Sequence, residues 1–77
     1  MKTKLTGEEL RMIRTLRKLK ISDVAIVIGR YPSAVTYVEG GNRSALDENQ
    51  SQAVLTAFNI DEELLSYIRK TIKLSKI

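Results

Sequence analysis

Arg30, Tyr31, Ser33, Thr36 and Tyr37 lie within eight consecutive positions, with Pro32 among them and Gly29 just before. A guanidinium, two phenols and two aliphatic hydroxyls form a set suited to recognising phosphates and base edges by hydrogen bonding. Bond-breaking chemistry is not expected. The chain has no histidine and no cysteine, which removes thiolate nucleophiles, imidazole acid-base steps, disulfide staples and the usual zinc sites. Its acidic pairs, Glu8-Glu9 and Glu62-Glu63, stand at expected helix starts, where capping and the helix dipole account for them. There is no glycine-rich phosphate loop. Neither an enzyme nor a bound cofactor or metal is expected.

The charge distribution favours the same kind of partner. The formal net charge is only +4, but residues 1–43 sum to +5, residues 44–66 to −5, and the tail from Tyr67 to +4. A basic region of this kind is the footprint of a phosphate-binding surface, and the acidic region should face away from it. With 77 residues the chain can build one domain with a small core, burying about 60% of its unfolded surface. No apolar run approaches the roughly 18 to 20 residues that span a bilayer, and the start MKTKLTGEEL has no apolar signal core. A cytoplasmic location and no membrane contact are expected.

The elements that position the hydrogen-bonding set follow from small residues and helix punctuation. Ala25 allows two helices to approach closely, Gly29 can take the positive-φ corner between them, and Pro32 suits the first position of the next helix. This spacing predicts a second helix ending at Ile28 and a third from Pro32 to Glu39, closed by Gly40-Gly41. Ser22 and Asp23 are the expected cap and first-turn acid of the second. Ile26 and Val27 are expected to enlarge the core, with an interface patch as the other reading. The β-branched runs around Val24-Ile28 and Val35-Val38 suit strands as well, and local propensity slightly favours a hairpin. Context favours helices, because no third strand exists to complete a sheet.

On either side the helical signals are strong. Thr6-Gly7-Glu8-Glu9 is a capping box, starting a first helix that ends near Lys18 with Leu10, Ile13 and Leu16 inward. Asp47 and Gln50 form a second cap signature for a helix over 47–58 that buries Ala53, Val54, Ala57 and Phe58. Asp61 caps a fifth helix with Leu64, Leu65, Ile68 and Ile72 on one stripe. Residues 1–5 read as a flexible basic arm and 6–77 as the domain, whose C-terminal helix, with Leu74 and Ile77 beyond what the core can bury, is expected as a dimer contact.

Taken in order, Leu10, Arg14, Leu19, Ala25, Gly29, Val35, Val38, Glu39, Gly41 and Ala57-Phe58-Asn59-Ile60 resemble the Cro and phage-repressor helix-turn-helix family, also called the XRE family, over residues 8–68. The resemblance implies an all-α, compact five-helix lambda-repressor-like DNA-binding domain with the helix-turn-helix at its second and third helices. It also implies an ion pair between Arg14 and Glu39. The family's DNA-reading positions fall on Pro32, Ser33 and Tyr37, with Thr36 beside them. The family's phosphate-holding glutamine is replaced here by Ile21, so phosphate contacts fall to Ser22, Arg30, Tyr31, Asn42 and Arg43. The implied function is a sequence-specific transcriptional regulator of phage or mobile-element type, a repressor binding double-stranded DNA as a homodimer. Because the third helix exposes no Gln, Asn or Arg for a bidentate base contact, the alternative is a protein-interaction module on the same scaffold that binds another repressor or a toxin.

Overall fold

The Thr6 hydroxyl accepts the Glu9 amide at 3.2 Å and the Glu9 carboxylate accepts the Thr6 amide at 2.9 Å, which satisfies two of the unpaired donors of a helix start. Helix α1 (Gly7–Leu16) begins there in the computed structural model, which describes residues 3–41 and 45–75. It ends two residues earlier than the sequence predicts, with Lys18 at φ 54° and the Leu19 amide donating to the Arg14 carbonyl at 2.8 Å. The inward line runs through Leu10 and Ile13, with Arg14 half-buried beside them, at i, i+3 and i+4. Leu16, expected in the core, is therefore turned to the edge and is 45% exposed. Arg17 instead donates to the Phe58 and Asn59 carbonyls and ties α1 to the end of α4.

Helix α2 (Ile21–Ile28) starts two residues earlier than expected, with Lys20 as its N-cap in place of Ser22. The Asp23 carboxylate accepts the Lys20 amide at 2.7 Å, so the acid three residues on secures the start. Helix α3 (Pro32–Glu39) follows with Pro32 at its first position. The sequence's strand-like runs are thus helical, and α2 packs against both α3 and α4. Burial of Val24, Ala25, Val35 and Val38 in one core outweighs the small propensity penalty of β-branched residues. Ile26 departs from expectation. It is 79% exposed, while Val27 is half-buried against the core.

Helix α4 (Glu48–Ala57) is capped as expected by Asp47 and Gln50, but its register is rotated. Ser51, Val54 and Leu55 are buried, Ala53 and Phe58 are half-buried, and Ala57 is exposed. A serine is accepted in the core because its hydroxyl accepts the Leu5 amide at 2.9 Å and donates to the Leu46 carbonyl at 3.4 Å; a buried hydroxyl needs such partners. Helix α5 (Glu62–Ser75) packs on α1. The Asp61 carboxylate accepts the Leu64 amide at 2.8 Å, and Ile60 and Leu65 are both buried across that start, as a hydrophobic staple requires. Leu65 and Ile68 reach the core, Leu64 and Ile72 lie partly buried against it, and Leu74 is exposed.

The expected flexible arm is packed over its described residues. Leu5 is fully buried, Leu46 donates to the Leu5 carbonyl at 3.0 Å, and Thr6 bridges to Ala45. The Arg69 guanidinium pairs with Glu9 at 2.7 Å and donates to the Thr3 hydroxyl. An apolar leucine in a polar tail gains by entering the core, and this one fastens the segment before α1 to Leu46 and the first turn of α4. No helix among the described residues is long and apolar enough to cross a membrane.

Gly7 marks where α1 meets α3. A methyl at its α-carbon would lie 2.0 Å from the Val38 carbonyl oxygen, and backbone cannot step aside as a side-chain tip can. Gly7→Ala is expected to destabilise the fold by about 1 to 3 kcal/mol, despite alanine's better helix propensity. Urea unfolding of the two proteins checks this, and a gain in stability would contradict the close approach.

Candidate nucleic-acid interface

Three residues join α2 to α3, and the first of them sets the turn. Gly29 is left-handed at φ 67°, and the Arg30 amide closes the helix end on the Ala25 carbonyl at 3.1 Å. No atom lies near the position of a Cβ at Gly29, so its backbone conformation is what favours glycine there. Tyr31 is extended and precedes Pro32, whose fixed φ suits the first helical position and whose missing N–H costs nothing there. Together they turn the first half of α3 outward, so that Arg30, Tyr31, Pro32, Ser33, Thr36 and Tyr37 are all exposed. The two phenols are the largest of these surfaces, Tyr31 at 83% and Tyr37 at 57% exposure.

The two ends of α3 are held differently. Its start rests on the glycine turn, while its end is clamped by charge. Arg14 donates from Nε to Glu39 Oε2 and from Nη2 to Oε1, both at 2.9 Å, and from Nη1 to the Leu19 carbonyl at 3.2 Å. These bonds join α1, the link to α2 and the last residue of α3. The hydrogen bonds to Glu39 raise the Arg14 pKa against the desolvation that lowers it, so the guanidinium is charged wherever the fold survives.

A cleft of about 550 Å³ lies between α3 and the start of α4. Arg30, Tyr31, Ser33 and Tyr37 line it from the turn and α3, and Leu46 and Gln50 from the other side. The structure thus gathers four of the residues singled out from sequence around one depression. Pro32 and Thr36 lie on the same helix outside the cleft lining, with the Thr36 hydroxyl donating back to the Pro32 carbonyl at 3.3 Å. Ser22 is exposed in the first turn of α2, also outside that lining. Asn42 and Arg43 lie outside the described residues.

Gln50 is the member that sequence reasoning missed. Its signal was visible only as the third position of a capping box, which places it in α4 but gives no hint that α4 begins beside α3. Phosphates, base edges and water are the partners this arrangement can serve, through one cation, several hydroxyls and a carboxamide around an apolar floor. Among the described residues no three or more carboxylate, imidazole or thiol groups gather to hold a metal. No family model matches the chain, and no curated protein or solved structure matches it.

Proposed function

We propose that the chain is a sequence-specific DNA-binding transcriptional regulator whose α2 and α3 form a helix-turn-helix, with α3 entering the major groove. The outward set from Arg30 to Tyr37 on a helix fixed at both ends carries this reading. A recognition helix must hold a few side chains rigidly at its N-terminal half while the partner helix braces it. The positive-φ Gly29 and the Arg14–Glu39 pair supply that bracing. The five-helix arrangement is then of the lambda-repressor-like type, as the resemblance to the Cro and phage-repressor family implies.

The reading includes a homodimer that represses by occluding a promoter, in the cytoplasm on the cell's own DNA. Two copies with shorter extents of 24 Å fit side by side on one face of a duplex, where half-sites recur about 34 Å apart. The exposed Leu74 and the groove between α1 and α5, lined by Met12, Leu16, Tyr67 and Ile72, are apolar surface that supports self-association.

Fluorescence anisotropy against the DNA flanking the protein's own gene, with a scrambled duplex as control, tests the proposal over a range of salt. Arg30→Ala is expected to weaken binding about tenfold at moderate salt and to reduce the salt slope by about one unit. Equal affinity for both duplexes would remove sequence specificity, and affinity independent of salt would remove phosphate contact. One observation favours the second reading, a module that binds another protein. Ile26 is a large aliphatic residue with 79% exposure on the outer face of α2. Ile26→Ser abolishing partner capture while leaving DNA affinity intact would separate that role from DNA binding.

A further inference from the structure

The cleft beside α3 combines an apolar floor with a hydrogen-bond donor whose orientation is fixed. Ala34, Val38 and Leu46 contribute to the floor, and Gln50 stands at its edge. Gln50 Oε1 accepts the Asp47 amide at 3.3 Å, while the Gln50 backbone amide donates to Asp47 Oδ1 at 2.7 Å. The Asp47 N–H needs an acceptor, and only the oxygen end of the carboxamide can be one. The Nε2 end therefore points away from the cap and has no partner among the described residues.

This fixed orientation changes what the glutamine can read. A carboxamide free at both ends recognises adenine with one donor and one acceptor. One whose oxygen is turned to a helix cap presents its Nε2 outward, so the edge that Nε2 meets must present an acceptor. The adjoining floor favours a methyl group. In the major groove thymine presents an acceptor, O4, beside the C5 methyl; guanine presents acceptors with no methyl, and cytosine and adenine each place an amino donor there. Arg30 at the rim adds a cation that suits the flanking phosphates.

We propose that this cleft reads a thymine at its major-groove edge, with Gln50 Nε2 donating to O4 and the 5-methyl lying against the apolar floor. The inference rests on the reading of α3 as a DNA-binding helix. It adds a specificity-determining residue from a different helix, and it gives base discrimination to a surface whose own helix lacks bidentate side chains.

The experiment selects duplexes from a random pool with the full chain, then replaces each thymine of the selected site singly by deoxyuridine, which removes the methyl and keeps O4. One thymine position per half-site is expected to lose about fourfold in affinity with its methyl, and about tenfold or more when cytosine replaces it. Gln50→Glu retains the cap acceptor, so α4 keeps its start, but it exchanges a donor for acceptors. In that variant the preference at the same position is expected to move from thymine toward cytosine, whose N4 donates; a general loss of stability or charge repulsion would not reverse a preference. If duplexes are selected but every uridine is tolerated and Gln50→Glu leaves the base preference unchanged, the thymine cleft is wrong while DNA binding stands. Failure to select any duplex even at low salt overturns both.

Discussion

Leu5→Ala is expected to lower the unfolding free energy by about 2 to 5 kcal/mol. The side chain is fully buried among the core residues, so its removal loses transfer free energy and leaves a cavity that the surrounding helices close only in part. A chain of this size has a total stability of about 4 to 12 kcal/mol, so the substitution removes a large fraction of it. The neighbouring Lys4→Ala, at an exposed position, is expected to stay within about 0.5 kcal/mol of the parent. Urea unfolding followed by circular dichroism measures both. A Leu5→Ala protein as stable as the Lys4→Ala protein would show that the segment before α1 is not part of the core. The effect extends beyond that segment, because the buried side chain anchors a backbone whose amide donates to the Ser51 hydroxyl and whose carbonyl accepts the Leu46 amide. Losing that anchor is expected to loosen the start of α4, where Gln50 sits.

The second large effect concerns the clamp on α3. Glu39 is only 8% exposed and Arg14 24%, which places the pair between a surface salt bridge, worth about 0 to 1 kcal/mol, and a buried one. Breaking a buried pair from one side costs about 3 to 5 kcal/mol because the remaining charge is left without a partner. Arg14→Ala and Glu39→Ala are each expected to cost about 3 kcal/mol, near the lower end, since water reaches the guanidinium. The double variant is expected to cost about 2 kcal/mol less than the sum of the two, and Arg14→Met combined with Glu39→Leu recovers most of the loss. Strict additivity in the cycle would mean that the two side chains do not support each other.

How far the sequence carried these features depended on whether they are local. The capping boxes at Thr6-Glu9 and Asp47-Gln50, the glycine at the α2–α3 turn and the proline opening α3 are set within a few residues, and each stands in the structure where its spacing predicts. The Arg14–Glu39 pair spans 25 positions, and only the family resemblance pointed to it. Features decided by which side of a helix meets its neighbour were harder. Leu16 and Ile26 satisfy an apolar pattern yet lie exposed, because the inward line of α1 passes through Leu10, Ile13 and the half-buried Arg14 and that of α2 through Val24 and Ala25. Ser51 is polar and fully buried because Leu5, 46 positions away, donates to it. Gln50 belongs to the same class. Its cap is local, but its place across the cleft from Tyr37 depends on how α4 packs against α2.

The most direct measurement is an amide-resolved NMR titration of the isotopically labelled chain with duplex DNA selected for binding. The shifts are expected to concentrate at Arg30, Tyr31, Ser33, Thr36, Tyr37 and Gln50, and to leave Met12, Leu16, Tyr67 and Ile72, around the groove between α1 and α5, largely unmoved unless the copies associate on the DNA. Shifts confined to that groove, or no shifts at any salt concentration, would contradict the account of α3 as the DNA-reading helix.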